Sequence, residues 1–253
     1  MIDSLPTPDW TDGDGATVLS WSGGKDSTAT AILAKEIGFR FDAIAHVAPD
    51  PFAMESVFLR RFEEFMEQPV TIVRGPTFED LFFRRKKNGP NQGQIYGWPF
   101  TMRGACADAL KVRPLRQWAQ SIGPHRFVLG IAADETHRLK RIVAPNLSLL
   151  YDNAITTAAA REMCEQHGLL NPLYQFFDRL GCVRCPKQPL SALRMVRDLE
   201  PEKWAWMLSH DKDSPVPFGP RLQLQDVEAR FAWEDRDAET PDLLDFMGAP
   251  LDA

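Results

Sequence analysis

The residues whose types and spacing could do chemistry begin with Ser20-Trp21-Ser22-Gly23-Gly24-Lys25-Asp26-Ser27. A glycine pair allows backbone angles that a side chain forbids, and it lets main-chain N–H groups close on phosphate oxygens. Lys25 adds a full positive charge, and the hydroxyls of Ser20, Ser22 and Ser27 can donate to phosphate. A helix expected from Asp26 aims the positive end of its dipole at the same place. Asp26 itself can hold a magnesium ion that accompanies nucleotide phosphates. The kinase-type phosphate loop needs Gly-Lys followed by Ser or Thr, with another glycine upstream. Here Asp26 follows Lys25 and Leu19 stands at the upstream position. The stretch is therefore expected to be a phosphate loop of another kind.

The four cysteines are the second chemical resource: Cys106, Cys164, Cys182 and Cys185. In a reducing compartment close cysteine pairs point to metal or redox chemistry rather than to disulfides. Cys182-Val183-Arg184-Cys185 has a spacing suited to zinc or to iron–sulfur ligation. Cys106 follows Arg103-Gly104-Ala105 at a loop-to-helix position, where a helix N-terminus favours thiolate. Cys164 falls in an expected helix, as a further ligand or as a buried small residue.

These groups need elements to position them. Residues 16–21 read as a β-strand ending at the glycines, followed by a helix in which Thr28, Ile32, Leu33 and Ile37 fall at helical spacing and Gly38 closes the segment. Residues 41–47 read as a second buried strand, which makes a right-handed βαβ unit. The alternation continues with a helix over 55–67, a strand over 70–73 and a helix over 78–87. A long Gly- and Pro-bearing loop over 88–100 follows, then a helix over 107–122 interrupted near Pro114, and a strand over 126–131. A helix over 156–167, a turn at Asn171-Pro172-Leu173-Tyr174 and one helix over 191–208 follow. The pattern predicts an α/β fold, an open mostly parallel sheet flanked by helices, with a C-terminal cysteine-bearing helical region. Ligands in such sheets sit beyond the carboxyl ends of the strands, which is where the loop 20–27 leaves the first one. The expected divisions are a lead-in over 1–15, a nucleotide-binding α/β domain over 16–175, a CxxC-containing helical extension over 176–225 and an acidic tail over 226–253.

The loop resembles the Ser-Gly-Gly-Lys-Asp-Ser signature of the PP-loop (N-type) ATP pyrophosphatase superfamily. Further motifs make the chain most similar to its phosphoadenosine phosphosulfate (PAPS) reductase-like branch. They are Cys106 to Pro114, Gly130-Ile131-Ala132-Ala133-Asp134-Glu135 with Arg138, Asn171 to Tyr174, and Gly181 to Pro186. The resemblance implies an adenine nucleotide α-hydrolase-like fold and an enzyme that binds ATP, or PAPS or APS (adenylylsulfate), with magnesium. It implies cleavage or adenylylation at the α-phosphate, in the service of sulfur transfer to a nucleic acid or a small molecule. It gives catalytic roles to Lys25, Asp26 and Cys106. Ser22, Gly23, Gly24, Lys25, Asp26 and Ser27 would cradle phosphates, with Lys111 and Arg138 neutralising further oxygens. Gly130 would let the nucleotide approach the fourth strand, and Asp134 or Glu135 would position a basic group or a metal. It also brings Cys106 near the nucleotide, so that Cys106, Cys182 and Cys185, with or without Cys164, could hold an iron–sulfur cluster. Zinc and unliganded thiols remain the alternatives. No cysteine follows Cys185, so the C-terminal Glu-Cys-Gly-Leu-His segment of the reductases has no counterpart. A thiol-dependent sulfonucleotide reductase and a non-catalytic nucleotide-binding regulatory module are the two other functions open to this sequence.

The bulk numbers set the frame. The 253 residues are 44% hydrophobic and 25% charged, the composition of an ordinary globular protein. No apolar run approaches the length of a membrane helix, and the start at Met1 has no secretory-signal pattern, so a cytoplasmic location without membrane contact is expected. A net charge of −6 argues against indiscriminate nucleic-acid binding. Arg84-Arg85-Lys86-Lys87 is a local exception, readable as a solvated face or, with Trp98, as a single-strand contact. Arg138, Lys140 and Arg141 form a second basic cluster. A nucleic-acid acceptor and a sulfur-donor protein are the partners such a reading admits.

Overall fold

A computed structural model describes residues 14–102, 104–140, 142–219 and 222–239, the side chains of 238 and 239 excepted. The lead-in before residue 14, Arg103, Arg141 and the tail beyond 239 lie outside the described residues. The chain divides into two compact units. The first takes the described residues up to Leu81 together with Met102–Val183, and the second takes Phe82–Thr101 with the residues from Arg184 on. No helix among the described residues is long and apolar enough to cross a membrane.

The first unit carries strands β1 (Ala16–Trp21), β2 (Ala43–His46), β3 (Val70–Ile72) and β4 (His125–Leu129). Among the described residues they form one sheet in the order β3-β2-β1-β4, every neighbouring pair parallel. This is the α/β architecture expected from the alternation of elements. Successive side chains of β1 point to opposite faces, so the strand serves two cores. Leu19 and Trp21 join Ile32 and Leu33 of helix α1 (Lys25–Glu36), Phe58 and Phe62 of α2 (Glu55–Met66), and Ala160 and Cys164 of α8 (Thr157–Gln166). On the other face Val18, Ala45 and Phe127 pack with Ala119, Leu115 and Trp118 of α5 (Arg113–Ser121).

Several elements depart from expectation for identifiable reasons. Helix α1 is buried on all sides over Ser27–Ala34, because α7 (Leu149–Asp152) and α8 cover the side away from the sheet; Ile37, expected on the apolar face, is exposed. The helix expected to break at Pro114 does not. Helix α4 (Ala105–Ala107), a π turn Asp108–Val112 and α5 run on without a gap. Proline lacks an N–H and crowds the carbonyl four residues earlier, and a π turn widens the backbone where that crowding falls. Gly75 makes room for the ring: a Cβ there would lie 2.5 Å from Pro114 Cγ. Helix α3 (Phe78–Phe82) stops before the basic run. The main chain turns back there as an antiparallel pair, with an Arg85–Ile95 bridge and Tyr96 N–H donating to the Arg84 carbonyl at 2.9 Å.

The second unit is built on aromatic packing and ion pairs. Trp98 is 1% exposed among Phe82, Trp206 and Phe218, and its Nε1–H donates to Asp211 Oδ1 at 2.8 Å. It is therefore a core residue, not a stacking platform beside the exposed Arg84 and Arg85. The single helix expected over 191–208 is two, α9 (Leu190–Leu199) and α10 (Pro201–His210), because Pro201 cannot continue one and readily starts the next. As far as the described residues go, the acidic stretch from residue 226 is helical: α11 (Leu224–Glu239) buries Leu224, Val227 and Phe231. Its Glu228 and Asp235 pair with Arg197 of α9, at 2.9 and 2.8 Å. Acids that look like a solvated tail in the sequence are one side of an interhelical charge network.

Candidate functional site

The strand order reverses at β1. The chain moves from β1 out to β2 and β3, then returns to place β4 on the other side. At such a switch point the loops leaving neighbouring strands diverge and open a crevice at the carboxyl edge. The loop 22–24 leaves β1 there, and Gly130 follows β4. The cavity over this edge has a volume of about 930 Å³, within the range of small-molecule sites. Ser22, Gly24, Lys25, Asp26 and Ser27 line it, as do Lys111, Gly130, Glu135 and Arg138.

Internal hydrogen bonds set the shape of the loop. Ser22 N–H donates to Ser27 Oγ at 3.1 Å, and Ser27 Oγ–H donates to the Gly24 carbonyl at 3.0 Å. The Ser22 hydroxyl then donates to Ser27 Oγ at 3.0 Å. Gly23 has a φ of 73°, in the left-handed region that favours glycine. Its carbonyl accepts from Asn171 Nδ2 at 3.0 Å. Gly24 is the N-cap of α1 and has no side chain with which to cap the first-turn N–H groups. Lys25 is gripped at both ends of its main chain. Its N–H donates to the Tyr174 hydroxyl at 3.1 Å, and its carbonyl accepts the Cys164 thiol at 3.2 Å.

The charged groups are arranged in pairs and singles. Lys25 Nζ lies 2.6 Å from Asp26 Oδ1. Both carboxylate oxygens of Glu135 accept from Arg138 Nη1, at 2.8 and 2.7 Å, which fixes the guanidinium at the cavity wall. Lys111 stands on the π turn, half-buried, with no ion-pair partner among the described residues. Asp134 does not line the cavity. It accepts Thr157 N–H at 2.8 Å and Thr157 Oγ1–H at 2.9 Å, tying the loop after β4 to the start of α8. The Thr157 main-chain N–H holds its carboxyl below the usual aspartate value.

Gly130 lines the cavity and also serves a contact the sequence did not suggest. A Cβ on it would lie 2.5 Å from Ser27 N and 2.6 Å from Ser27 Cα. The close approach is between β4 and the head of α1, and the position of the phosphate loop depends on it. Ser20 stays in mid-sheet, in register with Ala45 and Leu129, and does not line the cavity.

The cysteines have different surroundings. Cys182 lines the cavity, whereas for the Cys106 segment it is the neighbouring Ala107 that does. Cys164 is buried against α1, and burial, with help from the Asp26 charge, pushes its thiol up to about 12. Cys106 and Cys182 belong to the first unit and Cys185 to the second. Among the described residues no three His, Cys, Asp or Glu side chains are gathered as a metal-holding group. Magnesium has simpler needs: one hard carboxylate beside ligand phosphates, which Asp26 at the cavity wall offers.

Sequence reasoning missed part of the wall. His46 and Glu55 line it from β2 and α2, Asp50 from the loop between them, and Arg179 from the segment before Cys182. His46 could have been found, because it ends a strand at the carboxyl edge where the ligand is expected.

Neither a family model nor a curated protein sequence matches the chain. Among solved structures, phosphoadenylyl-sulfate (PAPS) reductase from Candida auris, in a phosphate complex, aligns with a TM-score of 0.43 and 11% identity. The alignment covers 65% of this chain and 80% of that one.

Proposed function

We propose that the cavity binds the phosphates of ATP, or of an adenylyl sulfonucleotide, and that the protein is an enzyme acting at the α-phosphate to form an adenylylated product. One observation carries this reading: the glycine loop, the head of α1, Lys25, Lys111 and Arg138 all line one cavity at the switch point of the sheet. Main-chain N–H groups and the helix dipole favour the polyphosphate, and the three cations neutralise it. In an in-line displacement at the α-phosphate, Lys25 and the head of α1 would hold the leaving pyrophosphate while Lys111 and Arg138 take the remaining charge. Magnesium held by Asp26 would supply further neutralisation of the leaving group. The apolar wall of Val47, Ala48, Phe52 and Leu173 suits a purine.

The test is pyrophosphate release from ATP. The wild type releases it, and Lys25→Ala and Asp26→Ala each lower the rate by about a hundredfold or more, the scale of losing a transition-state charge contact. Turnover unaffected by both substitutions refutes the reading; tight ATP binding without turnover favours a regulatory module. A second reading, thiol-dependent cleavage of a sulfonucleotide, draws on the presence of Cys182 at the cavity wall. Sulfite formed from PAPS by the wild type and lost in Cys182→Ser would favour it.

A further inference from the structure

One feature of the cavity wall is absent from the phosphate chemistry above. His46 is 4% exposed, and both its ring nitrogens are engaged. Nδ1 lies 3.0 Å from the main-chain carbonyl of Trp21, and Nε2 lies 3.1 Å from Glu55 Oε1. A carbonyl oxygen only accepts, so Nδ1 must carry a proton. Nε2 then faces a carboxylate oxygen, and that contact also needs a proton. Two arrangements satisfy it, an imidazolium against a carboxylate or a neutral imidazole against a carboxylic acid. They differ only in where the proton sits. Either way the pair holds one proton more than a neutral histidine beside an ionised glutamate, and its net charge is zero.

The surroundings fix this geometry. Trp21 stacks on Phe62 at 4.2 Å and lies 5.1 Å from the imidazole, so the ring cannot swing away. Glu55 is the first residue of α2, where the helix dipole favours its negative form and hence the imidazolium arrangement. The pair lies beside the glycine loop: a Cβ on Gly23 would come within 3.4 Å of Glu55 Oε1. The other charged groups lining the same cavity are Lys25 and Asp26 from α1, Asp50 from the loop after β2, Lys111, Glu135 and Arg138, and Asp178 and Arg179, with the titratable His137.

We propose that His46 and Glu55 hold a shared proton at the wall of the nucleotide cavity, and that this proton is thermodynamically linked to the binding of a polyphosphate ligand. The linkage rests on the reading of the cavity as a nucleotide site. Loss of the proton to solvent leaves a net charge of −1 beside the glycine loop and sets two acceptors against each other. An anionic ligand therefore binds better to the protonated pair, and by reciprocity the ligand holds the proton on. His46 and Glu55 are positioning residues for the phosphate loop.

The experiment has two arms on the full chain. In the ligand-free protein, nitrogen-15 spectra of the imidazoles report the protons on His46, with His46→Gln assigning the signal. A second proton on the ring, or a carboxylic-acid signal from Glu55 in its place, at neutral pH supports the proposal, and a singly protonated ring beside an ionised Glu55 overturns it. In the second arm the affinity for ATP with magnesium is measured against pH. The wild type loses affinity as pH rises through the titration of the pair, approaching about tenfold per pH unit at full coupling. Glu55→Gln keeps the shape and donates an amide N–H to Nε2 with no titratable proton. Its pH dependence should fall to that of the nucleotide alone, and an unchanged dependence overturns the linkage. A wild type that binds no ATP at any pH refutes the nucleotide reading and the linkage with it, while the first arm still decides whether the proton is there.

Discussion

Tyr174 illustrates how much of the site is made by residues with no charge to offer. Its hydroxyl accepts the Lys25 N–H, and burial raises its ionisation above the usual tyrosine value, so it remains a neutral phenol through the physiological range. Tyr174→Phe leaves that N–H without its acceptor, a loss of about 1 kcal/mol. The expected outcome is an unfolding midpoint lowered by about 2–4 °C, read by calorimetry, together with a weaker affinity for ATP. Cys164 gives a second prediction at this scale. A thiol at about 12 and fully buried stays protonated and unreactive, so iodoacetamide should label the half-buried Cys106, Cys182 and Cys185 in the native protein and spare Cys164, as mass spectrometry would show. The sequence alone left Cys164 open between ligand and core, because nothing in a helical spacing says which neighbour the helix meets.

Elements show where sequence reasoning held and where it failed. The loop 22–27 and its flanking strand and helix were legible because glycines, charge and hydrophobic pattern agreed at one place. Gly130 was legible as a position that needs glycine, but the reason was not, since its partner is the head of α1 more than 100 residues earlier. Gly130→Ala forces a Cβ against main-chain atoms that cannot rotate away. It should cost about 2 kcal/mol or more in chemical unfolding and weaken ATP affinity along with it. The helices α9, α10 and α11 were blurred for a different reason. The acids of α11 find Arg194 and Arg197 only in three dimensions, and a run of exposed-looking charge carries no record of its partner.

At the scale of the whole molecule, each unit has its own stabilising chemistry. In the second unit burial alone would raise the Glu228 carboxyl, but hydrogen bonds from Arg197 and Trp204 outweigh it and hold the value below 4.5. A group depressed on folding stabilises the fold above its unfolded value and loses that contribution as pH falls through the folded one. Acid titration below about 4.5 should therefore loosen the second unit, followed by the fluorescence of Trp204, and Glu228→Gln should bring much of that loss to neutral pH. The residues lining the candidate cavity all belong to the first unit, so its ligand affinity at neutral pH should be insensitive to Glu228→Gln. The measurement that bears most directly on the central claim is the dissociation constant of ATP with magnesium for the wild type, Lys25→Ala and Arg138→Ala. The account predicts saturable binding to the wild type and a weakening of about tenfold or more in each variant. Equal affinity in all three, or none in the wild type, would contradict it.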